Sequence, residues 1–160
     1  MVKTLYHLDR REAAMAATTS EEIRIGQLVI RFVLESETSG GAVTAFEFDT
    51  PAGAKVPVAH SHDAYDETMY GLEGALTVTV DGEVSELNPG EAIFIPRGVI
   101  HHFDNAGGAD ARTLAVVTPG LLGPDYFREV AAVVDASAGG PPDLAAIGAV
   151  MRRHGLTPAP

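Results

Sequence analysis

Between Thr68 and Thr118 the chain carries turn chemistry roughly every ten residues, the spacing of short strands in a sandwich or barrel. Asp81-Gly82 supplies the positive φ angles of a tight hairpin, and Asn88-Pro89-Gly90, Pro96-Arg97-Gly98 and Pro119-Gly120 each join a proline of preset φ to a permissive glycine. The runs between these turns are too short for helices. Leu76, Val78 and Val80 alternate with Thr77 and Thr79, while Ala92 to Ile95 and Leu114 to Val117 are brief apolar segments. An antiparallel sandwich or barrel follows, not parallel βαβ units, which need helical crossovers.

The flanks fit the same plan. Upstream, Leu28, Ile30, Phe32 and Leu34 share one side of a strand over Gln27 to Glu35, punctuated by Gly40-Gly41. A second strand runs from Ala42 to Phe48 and ends at Thr50-Pro51, where proline removes a ladder donor. Beyond Gly123 the period becomes helical, with Tyr126, Phe127, Val130, Val133 and Val134 on one face after Pro124-Asp125. Past Gly139-Gly140-Pro141-Pro142, Asp143 is placed to cap a second helix whose Leu144, Ile147, Val150 and Met151 share a face, and Gly155 ends it. The Ala-rich stretches Ala13 to Ala17 and Ala131 to Ala138 also read as helical. A chain of 160 residues suits one domain over 1–160. Its barrel core is expected at about 27–118 and its helical tail at about 124–155.

A formal net charge of −11 repels phosphate backbones and anionic lipid surfaces, so neither nucleic acid nor a membrane is expected as a partner. There is no cysteine, which excludes disulfides, thiolate ligands and a cysteine nucleophile. Any metal must therefore sit on His, Asp or Glu. Lys3, Asp9, Arg10, Arg11 and Glu12 interrupt the start of the chain, where a signal peptide would be apolar, so a cytoplasmic location is expected.

Four of the six histidines fall in two places, His60 with His62 and His101 with His102. On an extended strand His60 and His62 leave the same face, forming a two-toothed chelate for a borderline metal. Glu67 follows after a gap that allows a bend, and His101 can arrive from a distant strand of a closed sheet. Three neutral nitrogens and one carboxylate suit a divalent transition ion, Fe, Mn, Ni, Co, Cu or Zn, and leave positions open for substrate. Asp63 and Asp66 are alternative carboxylates, although alternation turns Asp66 away from Glu67. The same alternation turns His102 from His101, while His7 and His154 have no evident partners. Phe103, Phe46 or Phe48, and Met69 are placed to face inward, as cavity lining or as ordinary core. Tyr65, between the ligands, can gate the site or donate to substrate.

Two ordered motifs run through these residues: Gly53, His60-Ser61-His62, Glu67 and Gly74, then Gly90, Pro96-Arg97-Gly98, His101 and Asn105. In this the chain resembles the cupin superfamily, across roughly a third of its length. Six residues separate Gly53 from His60 where the family usually has five, so the loop entering the site is expected to be longer.

The resemblance implies an all-β fold, a double-stranded β-helix or jelly-roll barrel with C-terminal helices. It also implies metal binding by His60, His62, Glu67 and His101. Among cupins the layout is similar to single-domain, quercetin-dioxygenase-like proteins. That likeness implies a substrate hydroxyl on the metal, Glu67 as both ligand and base, and attack by dioxygen. Between Gly53 and Thr118 the basic residues are Lys55, Arg97 and Arg112, too few to clamp a sugar phosphate or a dicarboxylate. A small neutral aromatic or enolic substrate is expected instead. Two alternatives stand beside it: a metal-dependent isomerase, lyase or polyketide cyclase, and a non-catalytic small-molecule-binding barrel. The resemblance further implies a homodimer, with the Leu28 to Leu34 strand as a candidate sheet edge for a second copy.

Overall fold

The computed structural model describes residues 20–54, 56 and 58–160; His7, the Ala13 to Ala17 stretch and Lys55 lie outside them. The strands are β1 (Glu22–Ile25), β2 (Leu28–Leu34), β3 (Thr44–Thr50), β4 (His60–His62), β5 (Asp66–Glu73), β6 (Leu76–Val80), β7 (Glu83–Leu87), β8 (Ala92–Ile95), β9 (His101–Asp104), β10 (Ala111–Thr118) and β11 (Leu156–Pro158). The helices are α1 (Ser36–Ser39), α2 (Pro124–Ala136) and α3 (Leu144–Arg153). Two antiparallel sheets form, in the orders β1-β2-β3-β10-β5-β8 and β11-β4-β9-β6-β7. Together they make a jelly-roll barrel with helices at its C-terminal end.

The turn chemistry works as the residues dictate. Asp81 and Gly82 have φ of 50° and 84°, the pair of positive angles that matches the twist of the β6–β7 hairpin. Gly74 ends β5 where a Cβ would lie 2.2 Å from the carbonyl oxygen of Asp110, so no larger residue fits between these strands. Along β3 the burial alternates strictly, with Thr44, Phe46, Phe48 and Thr50 inward. Phe32, Phe46, Phe48, Met69, Ile95 and Val117 are among the buried side chains between the sheets.

Two expectations change. Leu28–Leu34 is not a sheet edge, because β1 pairs along it on one side and β3 on the other; β1 and β8 are the terminal strands of that sheet among the described residues. The chain also does not finish in the helical tail: after Gly155, β11 returns to the second sheet and pairs with β4. The helices otherwise follow their patterns. Asp143 accepts a hydrogen bond from the backbone N–H of Ala146 at 3.0 Å, a helix cap, and Ile147, Val150 and Met151 are buried. Leu144, in the first turn, is 56% exposed instead of facing the core. No helix among the described residues is long and apolar enough to cross a membrane.

Candidate metal centre

Three strands deliver the polar side chains. His60 and His101 are direct cross-strand partners on β4 and β9, so their rings start side by side. His62 follows on the same face of β4. Glu67 comes from β5 in the opposite sheet and reaches across the barrel interior. The corner before β9 is held to both neighbours: Gly98, at φ 81°, donates its N–H to the His62 carbonyl at 2.8 Å, and the Arg97 N–H and guanidinium donate to Asp66 at 2.8–3.1 Å. Asp66 thus faces away from the centre, as alternation requires. Asn105 donates to the Thr50 and Ala109 carbonyls, each at 2.8 Å, fastening the loop that precedes β4.

Ligand nitrogens of His60, His62 and His101 all lie within 4.8 Å of one another. His60 Nε2 and His62 Nε2 are 3.2 Å apart, close to the separation of two donors that each stand about 2.1 Å from one ion. Glu67 Oε2 is 3.4 Å from His101 Nε2 and 3.7 Å from His62 Nε2. Two of the rings have their orientation set from behind. His60 Nδ1 and His101 Nδ1 each donate to a carbonyl two residues earlier, Val58 and Val99, at 3.0 Å. That leaves the Nε2 lone pairs pointing inward, the tautomer a metal needs. The ring of Tyr65 stacks on His62 with centroids 4.5 Å apart and an interplanar angle of 26°.

The electrostatics fit a cation. Burial, reinforced by the neighbouring imidazoles, holds His60 down to about 3, and burial likewise takes His62 to about 4 against the pull of Glu67. Both rings are neutral donors at pH 7. For Glu67, burial favours the acid form, but the His101 bond and the imidazole charges outweigh it and lower its pKa, so it is a carboxylate. Burial opposes protonation of His101, yet the Glu67 bond and charge raise its pKa overall. With Nδ1 of His101 donating to the Val99 carbonyl, the raised pKa places the ring's second proton on Nε2, which faces Glu67 Oε2 at 3.4 Å. Lone pairs and a carboxylate converging away from water call for a positive charge between them. The donor set, hard oxygen and borderline nitrogen, fits a divalent first-row transition ion.

These groups line part of a cavity of about 100 Å³. Phe46, Phe48 and Phe103 line it, with Phe48 and Phe103 packed at 4.7 Å between centroids. Met69 and Tyr65 do not. Met69 shares the inward direction of Glu67 but is fully buried in the core, and Tyr65, 1% exposed, lies behind His62 instead of over the site as a gate or substrate donor. His102 is on the outer side beside Asp104, and His154 pairs with Glu129. Part of the remaining lining was not expected from the sequence: Tyr126 and Phe127 of α2, Ile147 and Met151 of α3 and Leu156 of β11. The orienting carbonyls were missed too, although both segments, Val58-Ala59-His60 and Val99-Ile100-His101, read Val-x-His.

Comparison with known proteins bears on this arrangement. The pattern of the cupin domain family matches residues 46–117. Quercetin 2,3-dioxygenase of Bacillus subtilis is 29% identical over 108 residues, 68% of this chain and 31% of that enzyme, so the chain spans about a third of its length. Tetracenomycin polyketide synthase protein TcmJ of Streptomyces glaucescens is 32% identical over 113 residues, 69% of this chain and 75% of TcmJ. Among solved structures, KdgF from Halomonas sp. superposes with a TM-score of 0.54 at 20% identity, covering 64% of this chain and 86% of that one, a likeness of fold alone. With sequence shared along 75% of TcmJ, and the family pattern running through every strand that carries a site residue, this chain belongs to the cupin family.

Proposed function

We propose that the protein is a metal-dependent dioxygenase acting on a small neutral aromatic or enolic compound, with one divalent transition ion held by His60, His62, Glu67 and His101. The observation that carries this reading is the convergence of three imidazoles whose ligand nitrogens lie within 4.8 Å of one another, beside a buried carboxylate, in the lining of an apolar cavity. A bound ion supplies Lewis acidity, lowering the pKa of a substrate hydroxyl. The chain does the rest. His60 and His101 are aimed by the Val58 and Val99 carbonyls, and Glu67, ionised at neutral pH, accepts the hydroxyl proton on its carboxylate. Phe46, Phe48 and Phe103 hold an apolar body and exclude water. The likeness to quercetin 2,3-dioxygenase supports dioxygen as co-substrate.

The likeness to TcmJ, named for a polyketide synthase, favours a second reading, a metal-dependent isomerase, lyase or cyclase for an enolic polyketide-type compound. Oxygen separates the two. Protein purified without an affinity tag is expected to carry about one transition ion per chain. After the recovered metal is restored, a screen of enolic and catechol-type compounds is expected to show oxygen consumption that Glu67→Gln lowers by about 100-fold. Turnover that persists without oxygen replaces the first reading by the second. Tight ligand binding without any turnover leaves a binding protein, and failure to take up any first-row ion overturns both enzymatic readings.

A further inference from the structure

We propose that the C-terminal segment from Leu122 to Leu156 sets what the cavity accepts: a neutral compound with an apolar body of about one six-membered ring and a single oxygen-bearing end. The position of that polar end rests on the metal-centre reading above; the size limit does not.

The size limit comes from volume and from what fixes it. A cavity of about 100 Å³ is smaller than the roughly 150 Å³ apolar cavity that admits benzene in an engineered protein core. One ring is thus near the limit, and a three-ring flavonol needs the wall to move. The wall is not loose. Phe127 is wedged edge-on against Phe46 at 4.9 Å and Phe32 at 5.6 Å between centroids, and Tyr126 packs edge-on against Phe127 at 4.9 Å. Met151 and Ile147 of α3 are each 2% exposed. Close-packed aromatic and aliphatic side chains resist displacement, because any shift forfeits contacts on every side.

The distance from this wall to the imidazoles is fixed as well. β11 lies directly beside the metal-bearing strand, with Leu156 opposite His62 and Pro158 opposite His60. The Gly155 carbonyl accepts the Asp63 N–H at 2.8 Å, and Thr157 Oγ1 donates to Asp63 at 2.7 Å. The tail that supplies Leu156 to the lining is thereby registered directly against the strand that carries His60 and His62. The cavity has aromatic sides, from Phe48 and Phe103. Its charged and titratable lining is confined to the imidazoles, Glu67 and the Tyr126 phenol, and no Lys or Arg lines it among the described residues. An anionic tail would be buried without a cation among the described lining residues, and a second polar end would find there only the Tyr126 phenol.

The test uses the full chain in two forms. In metal-free protein, binding of benzene and of naphthalene is followed by NMR shifts of the Met151 methyl and of the lining aromatics. Benzene is expected to bind at least about tenfold more tightly than naphthalene, and Met151→Ala is expected to reverse that preference by about tenfold or more. Naphthalene binding as tightly as benzene in the unaltered protein, or an unchanged ratio in a folded Met151→Ala, overturns the size limit. Should Met151→Ala fail to fold, the ratio in the unaltered protein decides. In zinc-loaded protein, redox-inert by choice of ion, catechol is expected to bind at least about tenfold more tightly than benzene, measured by calorimetry. Catechol binding no tighter than benzene, with the benzene preference retained, overturns the metal-oriented polar end and leaves the size limit standing.

Discussion

Part of the cavity lining is four polar side chains from three strands, β4, β5 and β9; another part is mostly apolar side chains from α2, α3 and β11. The first part depends on individual atoms and directions. Two of its rings are turned by particular carbonyls, and its one buried carboxylate stands 3.4 and 3.7 Å from two of the imidazole nitrogens. The second part depends on volume. Apolar packing is non-directional, so several combinations of Phe, Met, Ile and Leu can fill the same space, whereas no other residue replaces a correctly aimed imidazole. The comparison separates a part of the molecule that specifies chemistry from a part that specifies fit.

If that separation holds, damage to one part spares the other. The largest effect is expected from Phe127→Ala, which removes the ring wedged among Phe32, Phe46 and Tyr126. It should lower the unfolding free energy by about 3–4 kcal/mol in urea titrations while leaving metal affinity within about threefold. A tenfold loss of metal affinity in this variant would show the two parts to be coupled.

His101→Ala is the converse. Metal affinity, measured by dialysis and elemental analysis, should fall more than about 100-fold while circular dichroism is retained. Retention of one ion per chain would remove His101 from the donor set.

Acid tests the polar part through stability. In the unfolded chain His60 and His62 bind protons near the ordinary imidazole pKa of about 6.5. Folded, they do so only near about 3 and about 4. The unfolded state therefore binds more protons between these values, and metal-free protein loses stability as the pH falls through that window. His101, whose pKa is raised, works the other way and gives up its contribution as the pH rises through its folded value. A net loss of about 3 kcal/mol from pH 7 to pH 5 is expected, cut by half or more in His60→Gln. A flat profile would mean that the two buried rings are not held neutral.

The smallest effect belongs to the corner before β9. Asp66→Asn weakens the Arg97 clamp, but Arg97 is 49% exposed, so the expected loss is about 1 kcal/mol or less in urea titrations. Metal affinity should change by less than about threefold, because Gly98 still ties the corner to His62.

The contrast between the two parts also explains what could be read in advance. The hairpin at Asp81-Gly82, the inward direction of Phe46 and Phe48 on β3 and the helix cap at Asp143 were all legible, since each follows from the chemistry of a few adjacent residues. The convergence of His60, His62, Glu67 and His101 was legible through residue identity and ordered spacing. Of the two roles open to Met69, lining or core, the structure gives it the second, because a two-residue period tells which face a side chain leaves from, not how deep it sits; Tyr65, in the loop between the ligands, had no period to place it. β11 gave no signal, being three residues long with a proline at its end, and its pairing with β4 exists only once the two helices have turned the chain back. Leu28–Leu34 read as a candidate edge because a strand's neighbours are not written in the strand.

Turns, strand periods and donor identities were present in the order of residues, because φ preferences, side-chain alternation and ligand type act over short stretches of chain. The closure of the cavity was settled only when the tail packed against the barrel. Amphipathic helices such as α2 and α3 announce that one face must be buried, but not against what. That choice is made by shape and volume among residues far apart in the chain, and here it put Phe127 and Met151 into the lining of the cavity that the imidazoles share.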